Sequence, residues 1–154
     1  MLPESTLHRF HTQLDCLPTL LSGVAADAME RRPASGKWSA RENLAHLARY
    51  QEVFLERASR ILAERQPILA RYKAEEDPEW PAWVDLPLRE VTARLGAGRS
   101  EIIAQLENLT LEQLARVGVH PRFGPLTLLQ WIEFFLLHEA HHLLAVLQRV
   151  RERE

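Results

Sequence analysis

The segment from residue 128 to residue 151 is apolar on almost every side when it is drawn as an α-helix. Ile132, Leu136, Leu143 and Leu147 all lie on the side away from its histidines. A helix with so little polar surface is buried at the centre of a protein or at a subunit interface. The rest of the chain must therefore fold so that other elements cover this helix.

Three further segments have the apolar spacing of helices. The first, residues 5–29, places apolar side chains every three or four positions and contains Pro18, which should kink it. The second, residues 39–65, opens with a serine that can form a capping box with Glu42. The third covers residues 88–109, with two glycines that weaken it near its middle. These segments and the last helix predict four long helices.

The connections between these segments contain turn and loop signals. A turn is expected at residues 31–37, and a proline-rich loop with room for a short helix at residues 66–87. In that loop, Trp80 and Trp83 can act as a lid, but we expect them to plug the core. A short helical turn at residues 110–116 and a structured crossing loop at residues 118–125 complete the set.

No segment has a convincing strand pattern, and Thr127 with Gln130 repeats the capping-box form where the last helix opens. The sequence therefore predicts an all-α, up-and-down four-helix bundle with antiparallel neighbours. A length of 154 residues suits a single domain over residues 1–154.

Composition excludes several classes of protein. Nineteen basic and 21 acidic residues give a net charge of −2, so no basic field is available for nucleic acid. No run of about 18 apolar residues occurs, so no membrane span is expected. The only cysteine, Cys16, cannot form an intramolecular disulfide, and no signal pattern opens the chain, which predicts a cytoplasmic protein. We expect Cys16 to be a small apolar filler.

Three histidines lie within the run His138-Glu139-Ala140-His141-His142. On a helix, His138 and His142 lie about 40° apart on one face, with Cβ atoms roughly 5–6 Å apart. Two imidazoles so placed can bind one metal ion, whereas His141 points to the other side of His138. The alternative is a pair of core histidines satisfied by hydrogen bonds, and the spacing leaves both interpretations open.

The same run matches H-E-x-x-H, the signature of zinc metalloproteases, in which Glu139 is the general base. The extended form of that motif needs glycine and histidine where this chain has Ala145 and Gln148. Glu152 and Glu154 are terminal and poorly suited as further ligands. Proteolysis is therefore disfavoured, and a third ligand should come from another helix.

His46, on the second helix, is the best candidate for that ligand. It lies at the edge of the apolar stripe, beside Tyr50 and Val53. This position suits either a half-exposed boundary histidine or a ligand at the mouth of a cleft.

A succession of short motifs along nearly the whole chain resembles the DinB/YfiT-like superfamily, metalloproteins unrelated to the DNA polymerase that shares the name. The motifs are Trp38, the run Glu42-Asn43-Leu44-Ala45-His46-Leu47, the run Gly118-Val119-His120-Pro121-Arg122-Phe123-Gly124-Pro125-Leu126-Thr127, Trp131 and the run His138-Glu139-Ala140-His141-His142-Leu143. The resemblance implies a four-helix bundle with a divalent metal, usually zinc or nickel. Its three histidine ligands match His46, His138 and His142.

The resemblance also implies an activity on a small molecule. Characterised members are similar to S-transferases that use low-molecular-weight thiols such as bacillithiol or mycothiol, and others are described as metal-dependent hydrolases. We therefore expect a metal-dependent thiol S-transferase or hydrolase. The alternatives are a non-catalytic metal- or ligand-binding or stress-response module, and a structural protein with core histidines. The family resemblance and the apolar last helix both favour a homodimer.

Further residues near these histidines are weaker candidates. Glu42 can reach the metal or orient His46, and Tyr50 can donate a hydrogen bond to a metal-bound group. The proton carriers can be Glu139 and His141. The structural alternatives are the capping box for Glu42 and packing for Tyr50, and both are favoured. Two arginines can bind the carboxylate of a thiol cofactor. They are Arg49 and Arg149.

Overall fold

The computed structural model describes residues 1–151 of the chain. Its helices are α1 (Glu4–Thr12), α2 (Leu17–Leu21), α3 (Ala26–Glu30), α4 (Ala40–Ala63), α5 (Trp80–Val84), α6 (Leu88–Leu106), α7 (Leu111–Leu114) and α8 (Leu128–Arg151). Short 3₁₀ helices cover Gln13–Cys16 and Ala74–Glu76. Two strands, β1 (Val117–His120) and β2 (Gly124–Thr127), form a hairpin.

The bundle has four helical columns, which are α1 continued by α2, then α4, α6 and α8. The predicted all-α four-helix fold is confirmed. Helices α6 and α8 both pack against α4, while α1 packs against α6 and α8 from the opposite side. The capping boxes that open α4 and α8 are present as predicted.

The helices α4 and α6 run in the same direction. Leu44 and Leu95, in the first halves of these helices, share one apolar cluster, while Phe54 and Ile102, in the second halves, share the other. Strict alternation of direction therefore does not extend to this pair. The loop at residues 64–87 makes the parallel arrangement possible, because it is long enough to return the chain along the bundle.

The first predicted helix ends earlier than its apolar spacing suggests. Its α-helical geometry changes to 3₁₀ just before Pro18, and the helix stops at Leu21. Gly23 follows with a φ of 67°, a conformation that glycine adopts without steric cost. The chain then turns and forms the separate short helix α3.

The prediction that the chain contains no strand is wrong. Strands β1 and β2 pair in antiparallel register from Val117 opposite Thr127 to His120 opposite Gly124. The loop at residues 66–87 supports β1, since the Leu69 N–H donates to the Val119 carbonyl. Four-residue strands that contain glycine and proline have no readable alternation, so only contacts with the rest of the molecule define them.

The long loop and the first helical column both contribute to the core. Trp80 and Trp83 are buried in the same apolar cluster as Leu44, which agrees with the expected plug, and Cys16 packs at its edge. Within residues 1–151, no helix is both long and apolar enough to cross a membrane.

Candidate metal centre

The histidines that the sequence singles out meet between α4 and α8, which run antiparallel. His46 comes from α4, and His138 and His142 come from successive turns of α8. One nitrogen from each ring lies within 4.8 Å of the other two. The structure therefore brings the three predicted metal ligands together.

His46 is buried, although the sequence places it at the edge of an apolar stripe. Two aromatic residues from outside the helices cover it. The Trp38 ring centroid lies 4.9 Å from that of His46, and the Tyr72 ring is stacked on it at 5.8 Å. Connecting segments thus convert a boundary position into an interior one.

The donor atoms suit a divalent transition metal. The Nε2 atoms of His46 and His138 face each other at 3.1 Å. Two nitrogens about 2.0–2.1 Å from a tetrahedral zinc ion lie roughly 3.3 Å apart. Two facing imidazole lone pairs need a shared proton or a shared cation, and imidazole is a ligand that zinc and nickel accept well.

The Nδ1 atoms of the three rings differ in whether they have a hydrogen-bond partner. Nδ1 of His46 and Nδ1 of His138 are buried and have no hydrogen-bond partner among residues 1–151. Nδ1 of His142 instead lies 2.7 Å from Oδ1 of Asn43. The amide of Asn43 is oriented by its Nδ2, which donates to the Ser39 carbonyl. His142 must therefore carry its proton on Nδ1, which leaves the Nε2 lone pair free for a ligand bond.

All three imidazoles are neutral near pH 7. Burial, with the nearby His142, lowers the pKa of His46 to about 3. Burial and the surrounding histidines lower the pKa of His138 to about 2, and burial with His141 lowers the pKa of His142 to about 4. Metal ligands must be unprotonated, so this arrangement keeps the donor atoms available.

A cavity of about 830 Å³ gives small molecules access to the three histidines. Aromatic side chains form much of its wall, and cationic groups are frequent towards its mouth. It is lined by Trp38, His46, Tyr50, Arg57, Arg71, Tyr72, Lys73, Ala74, Glu75, His120, Pro121, Arg122, Phe123, Phe134, His138 and His142.

Of the four weaker catalytic candidates, the structure places one in this cavity. Tyr50 lies with its ring centroid 4.3 Å from that of His138. Glu42 instead completes the capping box with Ser39 and pairs with Arg32, which is the structural role favoured by the sequence.

The other two candidates lie outside the cavity. Glu139 is fully buried on another face of α8, where it pairs with Arg99 and accepts hydrogen bonds from two glutamines. The side chain of His141 is on the exposed side of α8, although its ring lies 5.2 Å from that of His142.

The two arginines suggested for a thiol cofactor are also outside it. Arg49 forms an ion pair with Asp77 and with Glu52. Arg149 donates to the Trp38 carbonyl and lines a different cleft. Glu152 and Glu154, weighed as protease ligands, lie outside the described residues.

No role at the site was predicted for Asn43, Arg57 or Tyr72, and α4 contained a signal for the first two. Asn43, His46, Tyr50 and Arg57 fall within about 60° of one another on an ideal helix. A polar stripe of this kind on a largely buried helix indicates a site. Tyr72, which covers His46 together with Trp38, had no comparable local signal.

Comparisons with known proteins identify relatives of this chain. Residues 9–146 match the DinB superfamily. Among curated proteins, the chain is 27% identical to "Uncharacterized protein YuaE" of Bacillus subtilis, over 86% of this chain and 89% of that protein. It is 23% identical to "Putative metal-dependent hydrolase OB0782" of Oceanobacillus iheyensis, over 89% and 81% of the two chains.

A solved structure has the same fold. YfiT from Bacillus subtilis, described as a probable metal-dependent hydrolase with an unusual four-helix bundle topology, superimposes with a TM-score of 0.75. The match covers 97% of this chain and 89% of YfiT at 22% sequence identity.

Proposed function

Since the chain belongs to the DinB superfamily, we propose that it binds one divalent cation, zinc or nickel, through His46, His138 and His142. The bound cation serves a metal-dependent reaction on a small electrophilic molecule. That reaction is either its hydrolysis or its conjugation to a low-molecular-weight thiol such as bacillithiol. The observation that carries the proposal is the convergence of three neutral imidazoles on one point at the wall of a cavity.

A divalent cation with three imidazole ligands and an open position lowers the pKa of water or a thiol, so that a nucleophile is available at neutral pH. The chain's own residues prepare this chemistry. Asn43 holds the ring of His142, and Trp38 and Tyr72 restrict the access of water to His46. Names of relatives that include metal-dependent hydrolysis support the same assignment.

Tyr50 has the position of a hydrogen-bond donor to the reacting molecule. Its hydroxyl accepts a hydrogen bond from Nη1 of Arg57, so its own proton remains for another acceptor. Burial raises the pKa of Tyr50, which keeps the hydroxyl protonated at neutral pH.

Metal analysis of the protein, purified without a histidine tag, tests the proposal. We expect one zinc or nickel ion per chain, lost in His142→Ala and retained in His141→Ala, which removes the exposed neighbour. Equal metal content in wild type and His142→Ala overturns the assignment.

The reaction is tested separately. Metal-loaded protein is incubated with bacillithiol and an electrophilic probe, and with simple ester and amide substrates. Metal-dependent conjugation supports the transferase, and metal-dependent cleavage supports the hydrolase. Stable metal binding with neither reaction favours the non-catalytic binding module.

A further inference from the structure

Arg57 is a buried cation that forms no ion pair within residues 1–151. It is 8% exposed and lines the cavity beside the three histidines. Its Nη1 donates to the Tyr50 hydroxyl at 2.8 Å, and its Nη2 donates to the Ala70 carbonyl at 2.7 Å. Both acceptors are neutral, and no carboxylate in the described part of the chain forms an ion pair with it.

A second buried arginine, Arg99, has the counter-charge that Arg57 lacks. Arg99 is similarly buried, and it pairs directly with the carboxylate of Glu139. A buried charge without a counter-charge is costly. The guanidinium of Arg57 therefore has both a reason to attract an anion and a cavity through which an anion can arrive.

Two further arginines strengthen the positive field of this cavity. Arg71 and Arg122 line it and are exposed, and neither forms an ion pair with a carboxylate of residues 1–151. Lys73 differs from them because it pairs with Glu76. Glu75 is the one acidic side chain among the lining residues given above.

His120 adds a neutral donor to the same wall. Its Nδ1 accepts hydrogen bonds from the backbone N–H groups of Arg122 and Phe123, at 3.1 and 3.2 Å. The proton of the neutral ring must then lie on Nε2, which makes His120 a hydrogen-bond donor. Burial, followed by the charges of three nearby arginines, lowers the pKa of His120 and keeps the ring neutral.

From these contacts we propose that the small molecule handled at the metal centre carries a carboxylate or phosphate group, which binds Arg57 with support from Arg71, Arg122 and His120. The inference rests on the proposed function for the reaction at the histidines. Tyr50 links the two regions, because its hydroxyl bonds Arg57 and its ring contacts His138. An anionic group bound at Arg57 would place the rest of the molecule near the three histidines, because Tyr50 lies between Arg57 and His138.

Calorimetric titration with succinate, inorganic phosphate and neutral succinamide tests the site. The titrations use protein as purified and protein treated with a chelator, at constant ionic strength. We expect succinate or phosphate to bind both forms, and succinamide to bind at least about tenfold more weakly, because charge-assisted bonds to arginine are lost. The preferred probe distinguishes a carboxylate from a phosphate ligand.

Variants decide whether Arg57 is responsible. Arg57→Gln should weaken binding of the preferred anion at least about tenfold, and Arg57→Lys should restore part of it. Arg60→Gln, on the outer face of the same helix, should have no effect. If Arg57→Gln does not fold, the surface double variant Arg71→Gln/Arg122→Gln is decisive, with an expected loss of about tenfold.

The inference is overturned if neither anion binds wild type better than succinamide. Unchanged affinity in Arg57→Gln, or in the double variant if Arg57→Gln does not fold, also overturns it. Since chelated protein is titrated as well, anion binding is measured whether or not the metal assignment holds. Metal binding without anion binding refutes this inference alone.

Discussion

The orientation of His142 depends on one neighbouring side chain, Asn43. Groups that fix the second nitrogen of a ligating histidine commonly contribute 10- to 100-fold to metal affinity. We therefore expect Asn43→Ala to weaken zinc affinity by about 10- to 100-fold while the helical fold is retained. Competition with a chromophoric chelator measures the affinity. Asn108→Ala removes an exposed asparagine and should leave it unchanged; a similar affinity in both variants would contradict the role of Asn43.

The three clustered histidines, of which His46 is buried and the other two are partly buried, also predict how the stability of the metal-free protein depends on pH. Their pKa values of about 3, 2 and 4 lie below the ordinary value of 6.5 that they regain on unfolding. Below pH 6.5 the unfolded chain binds protons that the folded chain does not, so stability falls with falling pH. Each such histidine contributes a slope approaching about 1.4 kcal/mol per pH unit between pH 6.5 and about 4.

Urea unfolding of chelator-treated protein at pH 7.5, 6.0 and 5.0 measures this effect. His138→Phe should reduce the loss of stability between pH 7.5 and 5.0. His8→Gln, which removes an exposed histidine, should leave it as in wild type. A free energy of unfolding that is constant over this range would show that the histidines are not buried in neutral form.

At the scale of helices, the packing of α6 against α4 depends on Gly98. A Cβ atom placed there would lie 2.7 Å from the Cβ of Gln51, whereas a Cβ at Gly96 would meet nothing within 4 Å. Gly98→Ala should therefore destabilise the protein by about 1–3 kcal/mol, because the helices must separate. Gly96→Ala should stabilise it by about 0.5–1 kcal/mol through higher helix propensity.

Chemical denaturation of these two variants forms a matched comparison within one helix. The two glycines were predicted only as a weakness of the helix, yet α6 continues through both of them. Equal effects of the two alanine substitutions would show that the close approach of α4 and α6 is not required.

At the scale of the whole molecule, Glu139 connects the four helical columns. It lies on α8 and contacts Gln13 beyond α1, Gln51 on α4 and Arg99 on α6. Glu139→Ala leaves the guanidinium of Arg99 buried without a counter-charge and should cost roughly 3–5 kcal/mol of stability. Because Glu139 lies away from the cavity, metal content per folded chain should not change.

Thermal unfolding and metal analysis of the same preparation separate these two effects. Glu101→Ala, which removes an exposed glutamate on α6, is the control and should change neither quantity. Loss of metal from a stable Glu139→Ala protein would instead assign Glu139 to the metal centre.

The surface of α8 predicts the oligomeric state. Leu137, Leu144 and Leu147 are 64%, 53% and 37% exposed and lie at helical spacing on one outer stripe. We expect this stripe to form a homodimer, and Leu144→Glu to give the mass of a monomer in light scattering. Leu111→Glu, at an exposed leucine on α7, should remain dimeric. A wild-type monomer at micromolar concentration would contradict the prediction.

The amino-acid sequence by itself determined the features that depend on neighbours within a few turns of helix. The apolar periodicity, the capping boxes and the one-turn spacing of His138 and His142 are local, because helix geometry relates residues three and four positions apart. The three long helices α4, α6 and α8 and the histidine pair on α8 could therefore be predicted without any tertiary contact.

Only the tertiary structure decided the features that join distant parts of the chain. The burial of His46 depends on Trp38 and Tyr72, and the pairing of Arg49 depends on Asp77 in the long loop. The parallel course of α4 and α6 and the hairpin at residues 117–127 depend likewise on packing between separate elements. Local periodicity carries no information about such contacts, since their partners are set by how the helices and loops assemble.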